Sequence, residues 1–267
     1  MLAALADYHV HTPLCQHAHG WPAEFAARAV DLGLGELGFA DHNPMPEQFD
    51  IWRMARADLP RYLDEVEQAR AQFPQLTIRN GLACDYLAGR EAWIEELRGM
   101  ADWDYFIGSV HYISDGFAVD DPQYIGRYRS GETDAIWSAY WKAYERAIRT
   151  GLFDFMGHPD LPKKFGFKPA GDLRRFYEPA IAALGETQTP FEINTAGWRK
   201  ECAEQYPARE FLDLARAADV PLLINSDSHA VGELAAGFAE AAALAKSAGY
   251  RRTARFHRRA ISFVDLP

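Results

Sequence analysis

The chain has 267 residues, 38 of them acidic and 28 basic, for a formal net charge of −10. With 48% hydrophobic and 25% charged residues it has the composition of a globular protein, not a disordered one. The acidic balance argues against a nucleic-acid polymer or an anionic membrane surface as partner, and no apolar run reaches the roughly 18–20 residues of a membrane-spanning helix.

In chain order, Met1 to Val10 has no basic flank and reaches Asp7 too early for a signal peptide. Short apolar runs bounded by turn residues predict strands at Leu5–Val10, Gly38–Ala40, Leu76–Ala83, Tyr105–Val110, Phe153–Met156, Phe191–Asn194 and Pro221–Asn225. Amphipathic stretches between them predict helices at Pro22–Leu32, Leu59–Phe73, Arg90–Arg98, Asp134–Arg149, Leu173–Leu184, Ala208–Ala218 and Val231–Ala248. Gly33, Gly151, Gly185 and Gly249 stand where helix C-caps are expected. The alternation predicts one α/β domain over residues 1–267, built on a parallel sheet or barrel. The polar segment His111–Glu132 is either a lid or an exposed excursion. Cys15, Cys84 and Cys202 are odd in number and widely spaced, which fits neither a disulfide framework nor a Cys-x-x-Cys metal site; a reducing cytoplasm is expected.

The nine histidines are unevenly placed. His9 and His11 stand at the end of the first predicted strand. Residues i and i+2 of a strand share a face, so both can grip one cation. His17 follows in the loop. The second strand ends in Asp41-His42, the fourth in His111, the fifth in His158, and the seventh in Asp227-Ser-His229. Seven histidines and one aspartate thus lie at or just beyond the C-terminal ends of predicted parallel strands, the rim that carries active sites in α/β barrels. Neutral imidazoles with few carboxylates suit zinc, iron or manganese better than magnesium or calcium. Eight ligands are too many for one ion, so two or three are implied. His19 and His257 fall outside the pattern; His257 is placed in a basic, helix-like tail, and both read as solvated.

These motifs resemble the polymerase-and-histidinol-phosphatase superfamily of metal-dependent phosphoesterases, above all its monofunctional histidinol-phosphate phosphatases. The resemblance spans nearly the whole chain. It rests on His9-x-His11-Thr-Pro-Leu-Cys-x-His17, Asp41-His42-Asn-Pro-Met-Pro, Gly108-Ser-Val-His111-Tyr, Gly157-His158-Pro-Asp160-Leu-Pro-Lys-Lys164-Phe, Asn194-Thr-Ala-Gly-Trp-Arg199-Lys and Ser226-Asp227-Ser-His229. It implies a distorted seven-stranded (β/α) barrel, similar to a TIM barrel, and a trinuclear metal centre. By resemblance, His9, His11 and Asp227 take a first ion, His111 and His158 a second, and His17, His42 and His229 a third. The implied activity is hydrolysis of a small phosphate monoester, with L-histidinol phosphate as the leading substrate. The alternatives are a relative acting on nucleotides or phosphodiesters, and a weakly active protein that binds metal or phosphate esters.

One position departs from the pattern. Such proteins usually read Gly-Leu-Glu-x-Asp-Tyr after the third strand, with the glutamate bridging two metals. Here the segment is Gly81-Leu-Ala83-Cys84-Asp85-Tyr86, and Ala83 cannot ligate anything. Two dications about 3.5–4 Å apart repel unless an anion lies between them, so weakened or altered binding of one ion is expected. Cys84 should face the other way as a small buried hydrophobe, although a one-residue bulge would turn its thiolate inward.

By resemblance, Arg199 and Lys164 bind phosphate or substrate; neighbouring Lys163 could exchange roles with Lys164. Asp160, on the rim, is a candidate for protonating the leaving group or binding the substrate's amine or imidazole, and equally an ordinary turn aspartate. Asp7, Asp41 and Asp85 adjoin ligand histidines and read as carboxylates that fix imidazole tautomers. Tyr86, Tyr112, Phe165 and Trp198 flank the same loops and could shape an imidazole-sized pocket.

Overall fold

The computed structural model describes residues 2–114 and 116–267. The barrel strands are β1 (Ala6–Asp7), β2 (Glu36–His42), β3 (Thr77–Asp85) and β4 (Tyr105–Ser109), then, after the hairpin β5 (Tyr112–Ser114) and β6 (Phe117–Ala118), β7 (Phe155–Met156), β8 (Phe191–Asn194) and β9 (Leu222–Asn225). They form one seven-stranded sheet in the order β1-β2-β3-β4-β7-β8-β9, with every pair parallel. Just beyond the strand ends, His11 N–H donates to Ser228 C=O at 2.9 Å and Ser228 N–H to His9 C=O at 3.0 Å. These bonds bring β1 and β9 together, and the sheet is a nearly closed barrel of the TIM type.

The helices wrap the outside: α1 (Pro22–Leu32), α2 (Leu59–Gln72), α3 (Glu91–Arg98), a single turn α4 (Ile125–Arg127), α5 (Thr133–Arg149), α6 (Arg174–Thr187), α7 (Arg209–Ala217) and α8 (Phe238–Ser247). The strand period of two sorts side chains between two cores. On β3, Leu82 and Cys84 pack outward in the core beneath the helices, while Ala83 faces the interior with Tyr8, Ala40, Tyr105, Ile107, Phe155 and Leu223. No bulge turns Cys84 inward, and burial pushes its thiol well up. Tyr105 crosses the interior, and its hydroxyl donates to the carbonyls of Tyr8 and Phe39 at 2.8 and 3.0 Å. Glycines at 38 and 81 make this possible, because a Cβ at either would collide with the Tyr105 side chain.

The C-terminal tail is not helical. Strands β10 (Arg252–His257) and β11 (Ala260–Asp265) form an antiparallel hairpin, with Arg258 and Arg259 at φ 47° and 65° in its turn. Such a tight turn needs positive φ at both central residues, which Asn-Gly usually supplies and Arg-Arg does not announce. Ala254 and Phe256 of β10 join the interior core, and Arg255 and Arg258 bond residues that precede or open the strands. The hairpin thereby closes the N-terminal end of the barrel and leaves the C-terminal end for the site.

Two further expectations change. The predicted helix Val231–Ala248 is a short 3-10 turn at Val231–Glu233 followed by α8, the two separated by Ala235 and Gly237 at positive φ. Gly185 lies inside α6, whose left-handed cap is Gln188. The segment 111–132 contains β5, β6 and α4, and its middle folds over the barrel mouth; Asp115 lies outside the described residues.

Candidate metal centre

All eight expected ligands converge at the C-terminal mouth of the barrel. His9 and His11 leave β1 on one face, and their Nε2 atoms stand 3.6 and 3.3 Å from Asp227 Oδ1, beyond the end of β9. His17, His42 and His229 form a second group, with ring centroids 5.4 Å apart for His17–His42 and 4.6 Å for His17–His229. His42, Asp85 and His111 form another. His158 follows at 4.8 Å from the His111 ring and 5.8 Å from that of His9. Two of these side chains sit on unusual backbone: His158 and Asp227 are non-glycine residues at φ 21° and 51°. Such strain persists only where the surroundings over-determine it. Around Asp227 that support comes from Asp7, which accepts the N–H groups of Ser226 and Ala235 at 3.0 and 3.1 Å.

An oxygen behind most rings fixes which nitrogen faces the centre. His9 Nδ1 lies 3.1 Å from each oxygen of Glu192, and His111 Nδ1 2.7 Å from Asp85 Oδ1. His17 and His229 Nδ1 meet the carbonyls of Cys15 and Asp227 at 2.8 and 3.2 Å. A carboxylate or carbonyl in this place holds the Nδ1–H tautomer and leaves Nε2 free as a ligand. Asp85 also forms an ion pair with Arg53 at 2.8 Å, both side chains being buried. Asp41 behaves otherwise: it accepts the Thr12 N–H and hydroxyl, and its nearest approach to His11 Nδ1 is 3.8 Å. It holds the chain after His11, not the ring itself.

The electrostatics sort the imidazoles into two kinds. Burial holds His11 and His42 well below the ordinary histidine range and brings His158 and His229 down to about 4. Burial acts in the same direction on His9, but the carboxylates of Glu192 and Asp227 outweigh it and push His9 up to about 9. His111 is likewise raised against burial by Asp85. Asp227 is held well below the usual carboxylate range, burial notwithstanding, by His9, His11 and His229.

Several buried nitrogens have no hydrogen-bond partner: both of His11, both of His158, Nδ1 of His42 and Nε2 of His229. Orphaned buried polar atoms are rare unless something outside the chain satisfies them. Neutral imidazoles with one carboxylate are the donor set of divalent transition ions, so these residues fit such a metal. The His111–His158 pair has the weakest set of side chains. Interior position 83, paired in the sheet with His42 on β2 and Ile107 on β4, is a fully buried alanine with no donor.

The candidate substrate residues divide. Lys164 lines the cavity, and its Nζ donates to the Asp120 carbonyl at 2.7 Å and meets the Asp120 carboxylate at 3.0 Å. Arg199 is not on the cavity wall; its Nη2 donates to the carbonyls of Ser226 and Asp227 at 2.9 and 3.3 Å, and Lys200 lines the cavity instead. Asp160 is fully buried below the rim. Its Oδ2 accepts the Ala208 N–H at 2.7 Å and Lys163 Nζ at 3.1 Å, while burial pushes its carboxyl up to about 6 against the pull of Lys163. Lys163 is equally enclosed, bonded also to the Gln205 carbonyl at 2.7 Å. This buried pair ties two loops together. In this arrangement Asp160 takes the second of its two expected readings, that of a turn aspartate, and Lys163 has no spare ammonium to exchange with Lys164. The four flanking aromatics also stand off the cavity wall, where Trp52 and Tyr206 appear instead. Tyr112 backs Trp52, stacked at 5.7 Å.

Sequence reasoning missed Glu192, Asp120 and Trp52. A charge between Phe191 and Ile193 in a four-residue buried strand was the available signal for Glu192. Asp120 and Trp52 lie in irregular segments with no periodic pattern to place them.

Residues 7–196 match the PHP domain family. The chain is 39% identical over 260 residues to a probable histidinol-phosphatase of Deinococcus radiodurans, covering 97% of this chain and 99% of that protein. It is 27% identical over 256 residues to the histidinol-phosphatase of Bacillus subtilis, covering 85% and 94%. The crystal structure of a Lactococcus lactis histidinol phosphate phosphatase, complexed with zinc, L-histidinol and phosphate, superposes with a TM-score of 0.82 at 22% identity over 97% of this chain and 99% of that one. The chain belongs to the PHP domain family.

Proposed function

We propose that this protein is a metal-dependent phosphoric monoester hydrolase that converts L-histidinol phosphate to L-histidinol and phosphate. The observation that carries the reading is the cluster of seven imidazoles and one carboxylate at the mouth of a cavity of about 460 Å³. The full-length likeness to the histidinol-phosphatase of D. radiodurans supports it, as does the shared fold of the L. lactis enzyme with its zinc, histidinol and phosphate. His9, His11 and Asp227 would hold one ion, His111 and His158 a second, and His17, His42 and His229 a third, with zinc, iron or manganese as the suitable metals. Bound there, such ions would neutralise the phosphoryl oxygens and activate a water.

The chain's own side chains account for selectivity. The substrate is a zwitterion whose ammonium stands on the carbon next to the phosphate-bearing one, with the imidazole at the far end. The cavity wall carries an ion pair of the complementary kind, Lys164 with Asp120. Lys164 turning to a phosphate oxygen would release Asp120 for the ammonium, exchanging one pair for two. Arg199 braces the Ser226–Asp227 backbone and so keeps Asp227 aimed at His9 and His11. With Cys15, Cys84 and Cys202 all free thiols, a reducing cytoplasm suits this chemistry. No helix among the described residues is long and apolar enough to cross a membrane.

The test is turnover by the zinc- or manganese-loaded protein on a matched panel of histidinol phosphate, nucleoside monophosphates and a phosphodiester. A clear preference in kcat/KM for histidinol phosphate is expected. Preference for the diester, or tight ester binding without turnover, overturns the reading.

A further inference from the structure

Glu192 has no part in the scheme above, yet it lies directly behind the metal centre. Its side chain is fully enclosed in the barrel interior. Oε1 accepts the His158 N–H at 2.8 Å and the Asn194 amide at 2.7 Å, and Oε2 accepts the Asn225 amide at 2.7 Å. Both oxygens lie 3.1 Å from His9 Nδ1, and the opposite nitrogen of that ring faces Asp227. None of these partners is a lysine or arginine. Asp85 holds His111 in the same way, but its charge is matched by Arg53 at 2.8 Å. Asp41 stands 3.8 Å from its ring. Glu192 is therefore the one acid bonded behind a ligand ring with no fixed cation beside it, among the described residues.

A buried carboxylate needs an opposing charge, and among the groups bonded to Glu192 only the His9 imidazole can carry one. A dication on the far nitrogen of His9 supplies that charge through the ring. The need runs both ways, because the proposed ligand set contains a single carboxylate, Asp227, and alanine occupies interior position 83.

We propose that Glu192 is a positioning residue of the first metal pocket: it holds His9 with its proton on Nδ1, aims Nε2 at the ion shared with His11 and Asp227, and lends that ion the negative charge that no arginine or lysine neutralises. This rests on the metal-centre reading, and the experiment separates the two.

Zinc binding is titrated against a competing chelator for the wild type, Glu192→Gln and Glu192→Asp, with metal content per chain counted and melting followed with and without zinc. Glu192→Gln is expected to lower zinc affinity about 10–100-fold and to shrink the zinc-induced rise in melting temperature. Glu192→Asp, which keeps the charge, should recover part of the loss. In the zinc-loaded wild type, nitrogen NMR should show His9 protonated at Nδ1; this needs no variant and decides the matter if Glu192→Gln does not fold. Equal zinc affinity in wild type and Glu192→Gln overturns the proposal, even if both forms of the variant melt earlier by the same amount, because that is the mark of a structural role alone. His9 protonated at Nε2 overturns it as well. A wild type that binds no zinc overturns the metal-centre reading itself.

Discussion

Replacing Asp85 with asparagine would remove the carboxylate that joins the ring of the candidate ligand His111 to a buried arginine. Asp85 Oδ1 accepts His111 Nδ1 at 2.7 Å, and Oδ2 meets Arg53 Nη2 at 2.8 Å. Asparagine keeps an acceptor for one of these and presents an N–H group to the other, so one contact becomes donor against donor. Breaking a buried ion pair by removing one partner typically costs about 3–5 kcal/mol. Arg53 also bonds Asp50 and the Asn43 carbonyl, so it is not orphaned, and a loss of about 2–3 kcal/mol at pH 7 is expected. The pH dependence has a definite sign. Burial opposes ionisation of Asp85, but His111 and Arg53 hold it well below the usual carboxylate range. A depressed carboxylate contributes stability that is present above its unfolded pKa of about 3.9 and drains away below it. The wild type should therefore lose its advantage over Asp85→Asn between about pH 5 and the strongly acid range. Zinc affinity should fall about 10–100-fold, or about 1.4–2.8 kcal/mol, because His111 loses its orienting partner. The assays are denaturant unfolding of the metal-free proteins from pH 7 downwards and chelator competition at pH 7. A variant as stable as the wild type at pH 7, or one with the same zinc affinity, refutes the reasoning.

Asp160→Asn tests whether that residue is a proton donor or a structural tie. The buried contacts with Lys163 and Ala208 predict a loss of about 1–3 kcal/mol, a melting temperature lower by several degrees, and a kcat within about threefold of wild type; a drop of about 100-fold or more with the fold intact would restore the acid role. Ala83→Glu adds a carboxylate to the barrel interior next to His42, at the position where the resemblance expects a bridging glutamate. It should raise the zinc bound per chain while destabilising the metal-free protein by about 1–3 kcal/mol through overpacking and burial of charge, and unchanged metal content would count against a bridging position there. Metal binding should also release protons. His9, at about 9, is protonated at pH 7 and must give up its proton to bind an ion. Calorimetry in buffers of different ionisation enthalpy should therefore find about one proton or more released per chain near pH 7, falling towards zero above pH 9. His158 and His229, at about 4, add nothing to that count near neutrality.

Much of the candidate site was legible because its candidate ligands are local features of strand ends. His9-x-His11 carries the i, i+2 relation that extended backbone gives, whereas Asp227, at φ 51° beyond the end of β9, owes its aim to a turn. The runs before His42, His111 and His158 are short and apolar enough to be recognised as parallel strands. Other positions depend on turns and long-range contacts. Asp160 looked accessible because it follows a ligand histidine by two residues, but a left-handed backbone at Asp160 (φ 61°) turns it down onto Lys163 and Ala208. Arg199 follows a strand end as a phosphate ligand would, and its guanidinium also bonds the carbonyls of Ser226 and Asp227, contacts that no local pattern announces. The C-terminal hairpin was misread because an Arg-Arg turn gives no sign of positive φ and the flanking arginines mimic a basic helix.

The sequence alone determined the α/β alternation, the number of barrel strands and the eight candidate ligands that converge at the barrel mouth, because each depends on spacing within one strand or one loop. Only the tertiary structure decided which carboxylate stands behind which ring. Glu192 and His9 are 183 positions apart, as are neither Asp85 and His111 nor Asp227 and His229, and they meet only when the sheet curls round and brings β8 towards β1. Burial and charge pairing then set the balance of the centre: which imidazoles stay neutral, which acids are matched by arginine, and which is left for a metal to answer. Those energies depend on what surrounds a group in space, and no local pattern in the chain encodes them.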